Sequence, residues 1–210
     1  MRVMKPLPER RDGGFTVVEL VVAMSIFTVI LAIFMAGVVS MTKSTVKAQN
    51  TSDESAQARK IFQTFDHQLR YADAVNWPNQ AADGYWYVDF RTRATVAGAP
   101  SECVQFRLNT AERTLERRAW KVAPTVTAPP WSTAASWVGL PPAGTAPFKL
   151  EVTSAEHQHQ RLTVDLSVSR KSGQPGTRLH STFVARNTTP MTRTNDPAPS
   201  AAVCTEVPRA

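Results

Sequence analysis

The chain predicts an α+β protein: a long N-terminal helix, membrane-spanning in its first half, packed on an antiparallel β-sheet domain. Three observations predict it. No charged residue occurs from Leu20 to Thr42. From Lys43 to Trp77 there is neither proline nor glycine, and apolar residues recur at helical spacing. Beyond Trp77-Pro78 the apolar pattern changes to every second residue.

Composition bounds the rest. The 210 residues are 42% hydrophobic and 20% charged, so most of the chain can fold. The formal charge of +7 is basic but too mild to specify a nucleic-acid partner. Two cysteines exclude a disulfide-dense scaffold and a four-cysteine zinc site. Fifteen prolines against nine glycines predict long irregular connections rather than a doubly wound enzyme. No P-loop, dinucleotide glycine motif, G-x-S-x-G elbow or H-E-x-x-H occurs. With no nucleophile–base pair in view, the residues predict no enzyme, no cofactor and no small-molecule substrate.

As a helix, Leu20–Thr42 is about 35 Å long, enough for a ~30 Å hydrocarbon core. The competing reading is a removed secretory signal. Its apolar region is usually only about 7–15 residues and ends at a small-x-small site, and no convincing one follows here. A retained membrane helix is therefore expected. Lys/Arg flanks hardly fix its orientation: Arg2, Lys5, Arg10 and Arg11 precede it, and Lys43, Lys47, Arg59 and Lys60 follow. The bulk of the chain follows the span, so it is either exported or held in the cytoplasm behind an N-terminal anchor. Cys103 and Cys204 favour export if they pair.

Residues 13–20 read Gly13-Gly14-Phe15-Thr16-Val17-Val18-Glu19-Leu20. Glu19 is a lone carboxylate at the edge of the apolar run. A charge inside a membrane segment costs roughly 2.5–3.5 kcal/mol on insertion scales, less near an end. The apolar run offers no cation to match it. A cut after Gly14 would create one, the new amino group of Phe15. On a helix Phe15 and Glu19 are one turn apart, so the pairing is internal or with a neighbouring copy. The bland reading keeps Gly14 as a loop residue and Glu19 as an interfacial anchor.

The run from Gly14 to Leu20, with its basic leader and apolar helix, closely resembles the N-terminus of type IV prepilins and type II secretion pseudopilins. The resemblance implies cleavage between Gly14 and Phe15 by a membrane prepilin peptidase/methyltransferase. It implies methyl-Phe15 as the mature N-terminus, and Glu19 as the residue that docks a subunit by matching a neighbour's terminal amine. Other pilins or pseudopilins, an inner-membrane assembly platform and membrane lipid are the implied partners. The inner membrane, with the C-terminal domain exported, and then a filament are the implied locations. Major pilins commonly carry a proline in the membrane helix; Ile33–Val38 has none, which favours a minor pilin or pseudopilin. Residues 58–74 loosely resemble the matching helix of J-type pseudopilins and W-type minor pilins. Pilins often tie down their C-terminal region by a disulfide, so the resemblance supports a Cys103–Cys204 bond, with two separate thiols as the alternative.

The expected organisation is a leader at 1–14, a transmembrane helix at 15–42 and an amphipathic continuation at 43–75. A β domain at 76–187 and a proline-rich tail at 188–210 follow. Ile61, Phe65, Leu69 and Ala72 form the helix stripe that should meet a sheet. Gln49–Glu54 is polar enough to interrupt the helix, with Asp53 able to cap a second one. Trp86, Val88 and Phe90, then Val104, Phe106 and Leu108, read as strands, and Leu115–Val122 returns as a hairpin partner after a turn at Asn109–Thr114. Phe148–Val152, Leu162–Val168 and Thr177–Asn187 complete the strands, with a turn at Lys171–Gly176. Alternation of this kind hides one face and wets the other. Six prolines between Ala123 and Pro147 predict a long surface loop carrying Trp131 and Trp137.

Two weaker signals remain. Arg107, Arg117, Arg118 and Lys121, with Arg113 nearby, gather on the predicted hairpin beside Trp120. They are candidates for DNA backbone contact, although Glu112 and Glu116 dilute the patch. The second function class is accordingly an exported DNA- or ligand-binding protein, as DNA uptake would need. On a strand His157 and His159 would share one face, but two histidines with Glu156 are too few to specify a metal. No metal site is expected.

Overall fold

The computed structural model describes residues 13–94, 96, 98–141, 145–171, 173–174 and 176–209. The leader residues Arg2, Lys5, Glu9, Arg10, Arg11 and Asp12, and Pro142, lie outside the described residues. The chain divides into two units, residues 1–48 and 49–210.

In the first unit the helix α1 begins; it spans Val17–Leu69 in all. Its apolar stretch has the length and composition to cross a membrane. No described residue of this unit is buried: Phe27 is 66% exposed and Ile33 69%. In water such a surface is a large apolar liability, so it calls for lipid or other helices. Ser25, Thr28 and Thr42 return their hydroxyls to the carbonyls four residues earlier, at 2.8–2.9 Å. Their polar groups are thereby satisfied within the helix, as an apolar medium demands.

In the second unit α1 continues unbroken through Gln49–Glu54, and Asp53 caps nothing. The polar side chains there find partners instead. Asp53 takes a hydrogen bond from Gln49 and an ion pair from Arg170, and Glu54 accepts the Arg170 backbone N–H. The helix ends at Leu69, short of the expected residue 75, because Ala72–Val75 forms strand β1. Ala72 therefore joins the core from a strand rather than from the helix stripe.

Two antiparallel sheets follow. The first comprises β1, β2 (Asn79–Gln80), β3 (Trp86–Thr92), β4 (Glu102–Asn109), β5 (Thr114–Lys121) and β6 (Ser132–Ser136). Its order is β1-β3-β4-β5-β6, with β2 also on β3. The second comprises β7 (Val138–Gly139), β8 (Phe148–Glu151), β9 (Arg161–Val168) and β10 (Thr177–Val184), with β9 central. Gly176 leads into β10 where a Cβ would lie 2.1 Å from the Val168 carbonyl oxygen, so only glycine fits. Strands β6 and β7 correct the expectation of loop throughout 123–147. The six prolines flank residues 131–140 and leave that window free to pair.

One apolar core holds the helix and both sheets. Ala58, Ile61, Phe65 and Leu69 face Val88, Phe90, Val104, Phe106 and Leu108 of the first sheet and Phe148, Leu162, Val164, Leu166 and Phe183 of the second. Phe65 is fully buried, with ring centroids 4.6 Å from Phe106, 6.2 Å from Phe148 and 5.8 Å from Phe183.

The other face of the first sheet is not wet, contrary to the alternation argument. Tyr87, Asp89, Gln105 and Arg118 are buried there. Trp131 packs on Tyr87, and the C-terminal tail meets Asp89 and Arg118, so the tail is not loose. Cys204 is bonded to Cys103 on β4, with Cα atoms 5.7 Å apart. Val203, Cys204 and Val207 pack with Cys103, Trp120 and Ala74 as a second apolar cluster. Asn76 donates to the Val203 carbonyl (2.6 Å) and accepts its N–H (2.9 Å). Arg209 pairs with buried Asp89 at 2.7 Å.

Two outcomes are expected in denaturant unfolding of the full chain in detergent. Phe65→Ala should cost about 3–5 kcal/mol, as for a buried aromatic, and half-exposed Phe62→Ala clearly less. Cys204→Ser should lower stability by up to ~4–5 kcal/mol, given the long loop the bond closes, and open residues 188–209 to limited proteolysis.

Candidate functional site

The N-terminal motif sits where non-helical backbone meets α1. Gly13, Gly14, Phe15 and Thr16 precede the first helical residue, Val17, and all are exposed, Phe15 by 90%. Thr16 and Glu19 fix this boundary. The Thr16 Oγ1 accepts the Glu19 backbone N–H at 3.2 Å. Glu19 Oε2 in return accepts the Thr16 backbone N–H at 3.0 Å and its hydroxyl at 3.1 Å. This is a capping box: two orphan donors of the first turn are satisfied reciprocally. Its carboxylate also lies at the positive end of the helix.

Two consequences follow from that geometry. The Gly14–Phe15 peptide lies outside the helical ladder, in the accessible, non-helical state that a peptidase needs for attack. Phe15 precedes the helix, so it is not stacked one helical turn from Glu19, as continuous helix would have placed it. Both capping bonds use Oε2, and Oε1 carries no hydrogen bond among the described residues. The spacing Thr16-x-x-Glu19 before an apolar run is a local capping signature, and it was legible in the sequence.

The four hairpin residues proposed for DNA do not form one patch. Arg107 and Arg118 lie on the tail-covered face of the first sheet. Arg107 pairs with Glu116 at 2.5 Å. Arg118 is 7% exposed, donates to Gln105 (2.7 Å) and to the Pro208 carbonyl (2.8 Å), and burial pulls its pKa below the ordinary guanidinium value. The Trp131 ring lies against both guanidiniums, at 4.3 and 4.2 Å. Arg117 and Lys121 lie on the opposite face, beside the end of α1, where Arg117 donates to Gln68 at 3.2 Å. Arg113 turns away to the Ser169 carbonyl. Trp137 stacks with Arg170 at 4.9 Å rather than standing free.

His157 and His159 lie in an irregular segment between β8 and β9, not on a strand. His157 bonds Ser154 and the Val152 carbonyl, and His159 bonds the Thr188 carbonyl. Among the described residues no group of three His, Cys, Asp or Glu is placed to hold a metal.

Removing the cap tests this geometry. Thr16→Ala should cost about 0.5–2 kcal/mol of local helix stability. The expected readout is faster amide hydrogen exchange at Val18–Leu20 in detergent micelles, with exchange at Ile61–Leu69 unchanged.

Residues 10–39 match the Prokaryotic N-terminal methylation motif. No curated protein and no solved structure matches the chain. The motif match, opening onto the long apolar helix, supports the prepilin and pseudopilin family and indicates a pilin-like or pseudopilin-like protein.

Proposed function

We propose that this chain is a minor pilin or pseudopilin of a type IV pilus or type II secretion pseudopilus. A prepilin peptidase/methyltransferase cuts it after Gly14 and methylates the amine of Phe15. The carrying observation is the methylation motif at residues 10–39 running into a helix whose apolar residues before Ala48 are all exposed. Such a helix suits two environments in turn, lipid before assembly and neighbouring helices after it. The chain is held in the inner membrane with its β domain exported, where oxidation of Cys103 and Cys204 is favoured. An assembly platform then passes it to the filament.

Glu19 is the docking acid. Its Oε2 is committed to the cap, and Oε1 remains for the methylated amine of a neighbouring subunit. A carboxylate bridging a cap and an amine would have both oxygens partnered, as burial of a charge in an apolar bundle demands. The missing helix proline and the loose likeness of residues 58–74 favour a J-type or W-type subunit over a shaft subunit. The separation of Arg107 and Arg118 from Arg117 and Lys121 removes support for the hairpin as a single DNA-binding patch.

Intact mass and N-terminal sequencing of protein from native membranes provide the test. The expected chain starts at N-methyl-Phe15, and Gly14→Ala stays uncut. A chain that keeps Met1, or is cut beyond the apolar run, would overturn the reading. Glu19→Ala should be cleaved normally but be depleted from sheared filaments; normal incorporation would remove the docking role.

A further inference from the structure

A cleft of about 450 Å3 opens where α1 ends on the first sheet. Its charged and aromatic lining is His67 and Tyr71 from the helix end, Arg93 after β3, Glu102 on β4, and Arg117 and Lys121 on β5. Three permanent cations thus converge on one concave surface with one carboxylate. Val104, Ala94 and Pro100 supply an apolar floor.

These cations contrast with six arginines of the domain. Arg70, Arg91, Arg107, Arg170, Arg178 and Arg209 each hold a carboxylate within 3.0 Å. In the cleft, the guanidinium of Arg117 has Gln68 as its one side-chain hydrogen-bond partner among the described residues, and Arg93 reaches Asp73 no closer than 3.9 Å with its side chain 79% exposed. Lys121 is exposed, with no carboxylate at ion-pair distance among the described residues. Glu102, opposite Lys121 in the strand register, and Asp73, 3.9 Å from Arg93, offset this charge only in part, so the cleft stays net positive, as a recognition surface for an anion would be.

We infer that this cleft receives an acidic segment of a different subunit of the same assembly. A second copy of this chain is poorly suited to supply it. Its aspartates 53, 66, 73, 89 and 165 and Glu116 are already held by its own arginines. Its exposed Asp83, Glu112, Glu156 and Asp196 lie singly on separate turns and loops, and exposed Glu102 lies in the cleft itself. The chain's excess of 24 Lys+Arg over 17 Asp+Glu adds general repulsion between copies. An acidic neighbour instead gains charge-assisted hydrogen bonds from Arg93, Arg117 and Lys121 while its apolar side chains meet exposed Pro100 and Tyr71. The inference rests on the pilin-like reading for the word subunit, but the cleft's preference for carboxylates is testable alone.

The full chain in detergent micelles is titrated into a fluorescein-labelled octaglutamate peptide, read by anisotropy, with a labelled oligothymidylate of equal charge alongside. Arg93→Gln/Lys121→Gln should weaken peptide binding about tenfold or more, since charge-assisted bonds are lost. Lys171→Gln/Arg186→Gln removes the same charge from exposed sites outside the cleft and should leave affinity within twofold. Both variants alter exposed side chains, and an unchanged melting temperature verifies their folding. No peptide binding, or equal loss in both variants, overturns the inference. Tighter, cleft-dependent binding of the oligothymidylate overturns the choice of a protein partner. Failure here with normal cleavage at Gly14 leaves the pilin-like reading standing; retention of Met1 removes that reading whatever the cleft binds.

Discussion

Phe65 is where helix and both sheets meet, and the soluble architecture depends on that contact. A single ring reaches Phe106 in the first sheet and Phe148 and Phe183 in the second. No strand of one sheet pairs in a ladder with a strand of the other among the described residues; apolar packing against one helix stripe joins them, with Arg113 as a polar link that accepts the Val138 N–H at 2.8 Å and donates to the Ser169 carbonyl. Burial of this kind is non-directional. Direction comes from polar anchors at the perimeter. Arg170 fastens the second sheet to Asp53 and Glu54 of the helix. Gln160, fully buried, accepts the Val75 N–H and donates to Thr194 and Asn195, tying β1 to the start of the tail. A buried amide so fully used specifies one arrangement, because any other would leave its donors or acceptor unpaired.

What could be read from the sequence divides along the range of the interactions. The helix stripe, the alternating strands and the hairpin were legible because each is a repeat of two or 3.6 residues within a short window. The capping pair Thr16 and Glu19 is local too, three residues apart, and the pattern was there to be read. The helix end was set too far because Ala72, at a helical interval from Leu69, also suits a strand that can pair with β3. Asp89, Gln105 and Arg118 alternate with apolar residues and so read as a wet face. Only a tail more than 80 residues further along covers them. No local period carries that information. The hairpin arginines show the same limit: closeness in sequence placed Arg117 and Arg118 together, and the two-residue period of a strand sends them to opposite faces.

The N-terminal segment combines two demands that usually conflict. A helix bound for lipid must satisfy every backbone donor, and a peptidase site must stay unfolded. A cap that satisfies the first-turn donors from within the chain allows both within a few residues. The strength of the boundary resides in Thr16 and Glu19, while the bond proposed for cleavage, Gly14–Phe15, lies just ahead of it. The acid assigned to docking is thus already occupied with ending the extended segment and starting the helix.

The bond between Cys103 and Cys204 joins residues 101 apart, and Asn76 meets Val203 across 127 residues. Chains are made from the N-terminus onward. The β3–β4–β5 hairpins are therefore made with one face bare, and Trp120 and the Cys103 thiol wait on that face for residues 203–209. Closure then needs an oxidant that takes two electrons as the two thiols join. A variant cut before Cys204 keeps the residues of its helix and both sheets, and yet carries an unpaired thiol on an uncovered apolar face. Residues 203–209 thus act as a seal on a strand made 101 residues earlier.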